Sequence, residues 1–340
     1  MATIKDVARE AGTSISTVSK ALNGYYTISE EKIELVKQVA ERLGYRPNAR
    51  AQTFARKATR SVVLLTGLKK DIAFENPHMF EILAGIESSL REKDYSVTLR
   101  HCDIKDVCFL SREIMSGKSA DGLMIHASVV TKELSMILCR EEIPHIVIGK
   151  PDFRSNLCWI DNNNELSGEI AARRLMELGH RKIALIGSLE DDRISEDRIK
   201  GVLSELGEPC IAKIIRGDST IEEGERMGSI LLSEPNKITA IICVNNLLAV
   251  GCLRALNEKG IVVPDDVSLI TFDEYPLAKY TIPPLTTVSI DVYDLGVQAG
   301  KLLLRKIKKP ELSIQSYSTL PVLVERHTTT RCLLFEQDTV

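Results

Sequence analysis

The chain of 340 residues has no apolar run near the ~18 residues that a membrane-spanning helix needs. Its start, MATIKDVARE, lacks the apolar core of a signal peptide, so a cytoplasmic protein is expected. Its eight cysteines form no CxxC pair and no Cys/His cluster with zinc spacing. Several, such as Cys243 in AIICV, sit inside apolar runs, which fits reduced, buried thiols. There is no GxxxxGK[ST] phosphate loop, no GxGxxG, no GxSxG elbow and no HExxH. The six histidines are scattered, and His180 in ELGHRKIALIG falls where a helix end meets a strand, a place for a structural bond. Asp265 and Asp266, between Pro264 and an apolar strand, suit turn chemistry better than a metal site. The expectation is a protein that is not an enzyme and carries no cofactor and no metal.

What is present is a soluble composition, 44% hydrophobic with mixed charge, and enough length for two or three units. The net charge of −3 is unevenly spread. Residues 1–60 hold eleven Lys/Arg against six Asp/Glu, so a head of +5 precedes a body of −8. A basic head on an acidic body suits a polyanion-binding head.

The head begins with TIKDVAREAGTSISTVSKALN, Thr3 to Asn23. Thr3 is a good N-cap, and the Asp6 charge suits a helix N-terminus. Ile4, Val7, Ala8 and Ala11 recur at i, i+3, i+4 and i+7, giving one apolar helical face. Gly12 can supply the positive φ of a sharp turn. Ser14 is the next N-cap, and Val18, Ala21 and Leu22 face the first helix. This spacing is the helix-turn-helix pattern. It directs Ile15, Ser16, Thr17 and Lys20 outward near the start of the second helix, where such units meet base edges in the major groove. Lys20 can donate to guanine, Ser16 can donate or accept, and Ile15 can touch a thymine methyl. Thr3, Ser14, Thr17 and Asn23 suit phosphate oxygens.

A third helix is expected from Ser29 to about Leu43, with Ile33, Val36, Val39, Ala40 and Leu43 closing a small core. Residues 49–57 are too few for a helix that is stable alone, and a linker that orders on a partner is expected there. From Ser61 onward, short apolar strands alternate with helical patterns. Strands are expected near Val62–Thr66, Ser96–His101, Gly122–His126, His145–Gly149, Cys158–Ile160, Lys182–Gly187, Ala212–Arg216, Ala240–Val244 and Val267–Phe272, with helices between them. That alternation implies parallel sheets covered by helices, and its length implies two α/β halves. The stretches near Asp161 and at PPLTTVSID would cross between the halves.

The chain resembles the lactose/galactose repressor (LacI/GalR) family of bacterial transcription regulators. The resemblance runs through TIKDVAREAGTSISTVSKALN, ERLGYRPNARAQTFARK, NPHMFEILAGIE, IDNNNELSGEIAARRLMELGHRKIALIG, VNNLLAVGCLRAL and VPDDVSLITFDEYPLAKYTIPPLTTV, nearly the whole chain. It implies an all-α N-terminal helix-turn-helix domain and an α/β periplasmic-binding-protein-like body of two parallel-sheet subdomains. The implied divisions are a DNA-binding domain over 1–46, a hinge helix and linker over 47–60, and an effector-binding and dimerisation body over 61–335. The N-subdomain would hold about 61–160 plus 291–319, the C-subdomain about 161–290 plus 320–335.

On that resemblance, Ile15, Ser16 and Lys20 fall on base-reading positions, and Thr3, Ser14, Thr17, Asn23 and Ser29 on backbone-contact positions. Asn48, Ala51 and Phe54 fall on a hinge helix that enters the minor groove. The family usually has Leu where this chain has Phe54; a Phe can also unstack a base step. In the effector cleft, His78 and Met79 stand where the family often has aromatics. Arg198 matches an arginine that often binds a ligand hydroxyl or carboxylate, and Asn246 replaces a common Asp. His126, Asp161 and Ser219 complete the expected effector contacts.

The function so implied is a sequence-specific transcriptional repressor, acting as a homodimer on near-palindromic double-stranded operator DNA. A small-molecule effector, a sugar, a sugar phosphate or a related metabolite, would control its operator affinity, with a protein co-regulator as an alternative. No membrane partner is expected. The rival from another class is a metabolite-binding protein or α/β enzyme whose N-terminal hairpin is merely structural.

Overall fold

The computed structural model describes residues 2–22, 28–45, 58–67, 78–190, 192–206, 210–233, 238–274, 276–312, 314 and 316–332. Asn23, Asn48, Ala51 and Phe54 lie outside the described residues. The chain divides into two compact units, one formed by 1–68, 90–145 and 303–311, the other by 69–89, 146–302 and 312–340.

The chain opens with three helices, α1 (Ile4–Glu10), α2 (Ile15–Leu22) and α3 (Glu30–Arg42). At the start of α1 the backbone N–H of Thr3 donates to the Asp6 carboxylate at 3.0 Å, and the Thr3 hydroxyl donates to it at 2.7 Å. Asp6 thus does more than face the helix dipole: it satisfies an orphan donor at the helix entrance. Gly12 lies at φ +59°, in the left-handed region that its missing Cβ permits, and turns the chain into α2. Ser14 then accepts from the Thr17 N–H at 3.0 Å. Ser29 caps α3 with its backbone carbonyl, which accepts from Lys32 and Ile33; its hydroxyl takes no part in the cap. Val7, Ala8, Val18, Ala21, Val36, Val39 and Ala40 form the buried core of this small bundle. Ala8 and Ala21 let helices approach where larger side chains would hold them apart.

Beyond residue 60, strands and helices alternate as β1 (Ser61–Thr66), α4 (His78–Arg91), β2 (Ser96–His101), α5 (Val107–Ser116), β3 (Gly122–His126), α6 (Lys132–Arg140) and β4 (His145–Ile148). Then come β5 (Trp159–Asn162), α7 (Asn164–Glu177), β6 (Ile183–Ser188), α8 (Arg193–Leu206), β7 (Ile211–Gly217), α9 (Ile221–Leu232), β8 (Ala240–Cys243) and α10 (Asn246–Glu258). The chain continues with β9 (Ser268–Phe272), α11 (Pro276–Tyr280), β10 (Thr286–Ser289), α12 (Val292–Lys308), β11 (Tyr317–Thr319) and β12 (Val322–Val324). One sheet has the order β11-β5-β4-β3-β1-β2, the other β12-β10-β9-β8-β6-β7. The second is parallel apart from the antiparallel pair β10–β12. Its strands β6, β8 and β9 are buried throughout, as a parallel sheet covered on both faces requires. The expected strands lie within two residues of the observed ones. The short elements β10, β11, β12 and α11 are additions to the sequence-based expectation.

Three helix pairs cross through reciprocal glycines. A Cβ on Gly168 of α7 would strike the Arg198 carbonyl, and one on Gly201 of α8 would strike the Glu165 carbonyl. Gly224 and Gly251 stand in the same relation across α9 and α10, and Gly85 and Gly296 across α4 and α12. Each pair brings two helix backbones into contact. The α7–α8 crossing matters most for the site, because it fixes where Arg198 leaves its helix.

Candidate nucleic-acid interface and buried polar site

The capping bonds and the apolar face of α2 determine what its N-terminal end presents. Val18 and Ala21 are buried, so Ser14, Ile15, Ser16 and Lys20 are exposed and Thr17 is partly so. Ile15 keeps 44% of its surface in solvent although nothing in the small core needs it outside. The Ser14 and Thr17 hydroxyls share a 2.8 Å hydrogen bond. Thr3 and Ser29 are also exposed. An apolar side chain, a hydroxyl and a cation within about a turn and a half make a surface that can touch a methyl group and hydrogen-bond to base edges.

The second site lies at strand and helix ends in the unit that contains β6 to β10. Arg198 is 4% exposed. Its guanidinium meets the Asp273 carboxylate through two hydrogen bonds of 2.6 and 2.9 Å. It also donates to the Val244 carbonyl at 2.7 Å and to the Asn164 side chain at 3.2 Å, and it stacks on Phe272 at 4.8 Å. His78, the first residue of α4, places Nε2 3.4 Å from the same carboxylate. Asp273 follows β9 with φ at +75°, a backbone conformation rare outside glycine, which costs of order 1–3 kcal/mol. Burial alone would raise its carboxyl, but the Arg198 charge and the His78 contact outweigh this and hold it well below the usual carboxylate range.

Asn246 opens α10 and donates to the Phe272 and Asp273 carbonyls at 2.9 and 3.0 Å. Its Oδ1 is buried without a hydrogen-bond partner among the described residues. An acceptor left so inside a protein carries a desolvation cost of about 1–3 kcal/mol that a ligand donor would relieve. Nearby in sequence, Asn245 caps α10 through the Leu248 N–H and donates to Ser219 at 3.0 Å, and Ser219 shares a 2.7 Å hydrogen bond with Ser188.

The structure therefore brings Arg198, Asn246 and His78 together around Asp273 and sets Ser219 in a separate hydroxyl–amide group. Met79 is a buried side chain. Asp161 accepts from the Lys150 and Asn162 N–H groups at 2.9 and 2.8 Å, and burial pushes its carboxyl up. His126, in the other unit, accepts from the Ser128 N–H and pairs with the Ser128 hydroxyl at 2.8 Å, and burial lowers its pKa. Sequence reasoning missed Asp273, Asn164, Asn245 and Ser188. The available signal for Asp273 was an acid placed directly after a strand with no polar neighbour before it. Among the described residues no group of His, Cys, Asp and Glu is arranged to hold a metal ion, and no helix is long and apolar enough to cross a membrane.

Residues 3–48 match the model for bacterial regulatory proteins, lacI family, and residues 172–329 match the periplasmic binding protein-like domain. The chain is 32% identical over 336 residues to the HTH-type transcriptional repressor PurR of Vibrio atlanticus (strain LGP32), covering 96% of this chain and 98% of that protein. It is 30% identical over 326 residues to the ribose operon repressor of Haemophilus influenzae (strain ATCC 51907 / DSM 11121 / KW20 / Rd), covering 94% and 95%. In fold it is similar to the Lac repressor dimer bound to operator and the anti-inducer ONPF, with a TM-score of 0.82 at 24% identity over 97% of this chain and 99% of that one. With a helix-turn-helix head, two mostly parallel sheets and near full-length similarity to these repressors, the chain belongs to the lacI family of bacterial regulatory proteins.

Proposed function

We propose that the chain is a DNA-binding transcriptional repressor that acts in the cytoplasm and is not an enzyme. The observation that carries this is the exposed end of α2, with Ile15, Ser16 and Lys20 side by side on a bundle whose core is satisfied without them. Ile15, Ser16 and Lys20 read base edges, and Thr3, Ser14, Thr17, Asn23 and Ser29 hold the phosphate backbone. Asn48, Ala51 and Phe54 enter the minor groove from the hinge at 47–60, between a DNA-binding domain at 1–46 and the body at 61–335. The body dimerises, so two heads read two halves of a near-palindromic operator. The relative named for the ribose operon supports a small metabolite as effector. Arg198, Asn246 and His78 around Asp273 form its contacts, with Ser219, Met79 and Asp161 as further candidates; His126 is a separate candidate in the other unit. The effector favours one pose of the body over another and shifts operator affinity by a coupling of about 1–3 kcal/mol.

The test is binding of the purified protein to duplex DNA across a salt series. Phosphate contacts release counterions, so log K falls steeply with log salt. A flat salt response would return the chain to the metabolite-binding class.

A further inference from the structure

Thr59 and Arg60, the last two residues before β1, are held by one carboxylate. Asp121, just ahead of β3, accepts from the Thr59 N–H at 2.7 Å, the Thr59 hydroxyl at 2.8 Å and the Arg60 N–H at 3.0 Å. Its own N–H donates to the Ser61 carbonyl at 2.8 Å. The Thr59 hydroxyl also accepts from the Ser61 N–H at 3.2 Å, which closes a turn at the entrance to the strand. Arg60 lies at φ +55°, in the left-handed region that side chains rarely adopt and that persists only where the surroundings impose it. A second set of contacts imposes it here. The Arg60 carbonyl accepts from the Ser96 N–H at 3.0 Å, and its guanidinium donates to the Lys93 carbonyl at 2.6 Å and lies over the Tyr95 ring, 5.2 Å from the centroid. Tyr95 faces Asp121 as well: burial, and then the Asp121 charge, push its phenol up.

The body does not need these bonds to place β1. That strand is paired from Ser61↔Ser96 to Thr66↔His101 on one side and from Val62↔Gly122 to Leu65↔Ile125 on the other. Val62, Val63, Leu64 and Leu65 are also buried. The bonds to the carboxylate fall ahead of that ladder, on the chain that joins the head to the body. A carboxylate that accepts two backbone N–H groups and a hydroxyl makes charge-assisted bonds, stronger than neutral ones. They remove the freedom of two residues whose φ and ψ would otherwise let the incoming chain point many ways. A head joined to the body through a fixed exit loses less entropy when two heads must meet two half-sites at a set spacing.

We propose that Asp121 is a positioning residue for operator binding: by clamping Thr59 and Arg60 it fixes the direction in which the linker leaves the body, and so tightens specific but not sequence-blind DNA binding. This rests on the regulator function proposed above. Sequence-blind binding follows phosphate charge, which each head can meet from any exit. Specific binding needs both heads in register with two half-sites at once, so it alone is sensitive to the exit. Asp121 itself need touch no DNA; it acts through Thr59 and Arg60.

The experiment measures anisotropy of the full-length protein on the duplex it selects from a random pool and on random duplex of equal length, at one salt concentration. Asp121→Asn keeps the size of the side chain but replaces one acceptor oxygen by a donor, which then faces a donor on Thr59 or Arg60. It should weaken operator binding about tenfold, the loss of one charge-assisted bond, and leave random-duplex binding within about twofold of wild type. Thr59→Val removes one donor and should weaken operator binding less. Added to Asp121→Asn it should cost little more, because both act through the same bond. Arg60→Gly separates positioning from folding. Glycine adopts φ +55° without strain, yet the change frees the exit and removes the Lys93 and Tyr95 contacts, so the operator-to-random ratio should fall here too. Urea unfolding of the same samples reads stability, and a merely structural clamp would lower the midpoint and reduce binding to both duplexes alike. If Asp121→Asn does not fold, the ratios of Thr59→Val and Arg60→Gly decide. An unchanged ratio in the folded variants, or equal loss on both duplexes, would overturn the proposal. If wild type itself does not distinguish a selected duplex from random DNA, the regulator function falls and the clamp's role with it; if wild type does so and the variants keep its ratio, the clamp alone falls.

Discussion

The Arg198 guanidinium and the Asp273 carboxylate are joined by two hydrogen bonds, of 2.6 and 2.9 Å, with both side chains almost fully buried. Two ions removed from water are held in place by mutual attraction and by the Val244, Asn164 and His78 contacts, so neither can be removed alone without leaving an uncompensated charge. Asp273→Asn should destabilise the protein by about 3–5 kcal/mol in urea unfolding. The double variant Arg198→Met with Asp273→Leu should cost less than the two single changes summed, since removing the second ion relieves the first. Additive losses would show that the pair is not coupled.

The same pair sets an acid limit. The Asp273 carboxyl is held below its ordinary value in the folded chain, so its contribution is present above the unfolded carboxylate pKa of about 3.9 and is lost as pH falls through the lower folded value. Wild type should lose stability more steeply than Asp273→Asn below pH about 4, measured by chemical unfolding at stepped pH.

His145 produces a separate, milder window. Its side chain is buried at the start of β4, its Nδ1 lies 2.7 Å from the Ile143 carbonyl, and burial lowers its pKa from 6.5 to about 4. The unfolded chain therefore binds a proton that the folded chain refuses between those values. Stability is complete above pH 6.5 and falls as pH drops toward about 4, by about 3 kcal/mol at most. His145→Gln should flatten the slope of unfolding free energy between pH 6.5 and 4.5. An unchanged slope would assign the window to other groups, such as His180, whose pKa burial also lowers.

The glycine crossings make a packing prediction. Gly201→Ala places a methyl group against the Glu165 carbonyl, so α7 and α8 must separate. The expected cost is about 1–3 kcal/mol, and the shift moves Arg198, three residues earlier on α8, off the Asp273 carboxylate. Unfolding measured beside effector response should show both losses. A loss of stability alone would mean that the site tolerates the displaced helix.

Much of this was legible in sequence because each element carried its own signal. Gly12 and the apolar spacing of Ile4, Val7, Ala8 and Ala11 announce a turn after a helix, and Gly12 does adopt positive φ. Ser96–His101 occupies its expected position because Val97 and Leu99 alternate with polar residues, and Gly122–His126 because its short apolar run, Leu123 to Ile125, is bounded by Gly122 and His126. The short strands were not legible. Tyr317–Thr319 pairs with residues 160–162, far back in the chain, and three residues carry too little pattern to announce a strand. The site was half legible for the same reason. Arg198 stood out through its resemblance and its planar fork, whereas Asp273 is 75 residues away and becomes its partner only when β9 and α8 come together.

Specific reading predicts an uneven loss on substitution. Lys20→Ala should weaken operator binding by about 1–3 kcal/mol and relax the base preference at one position, whereas Thr17→Ala should weaken all sequences alike. Competition between operator and random duplex separates the two effects. Equal loss for Lys20→Ala on every sequence would place Lys20 on phosphate instead.

The most direct measurement is selection of a bound sequence from random duplex DNA, followed by anisotropy of the selected duplex at two salt concentrations. The account predicts enrichment of a near-palindrome with a shared centre, bound far more tightly than random DNA and more weakly at the higher salt. Sequence-blind binding, or none, would contradict it.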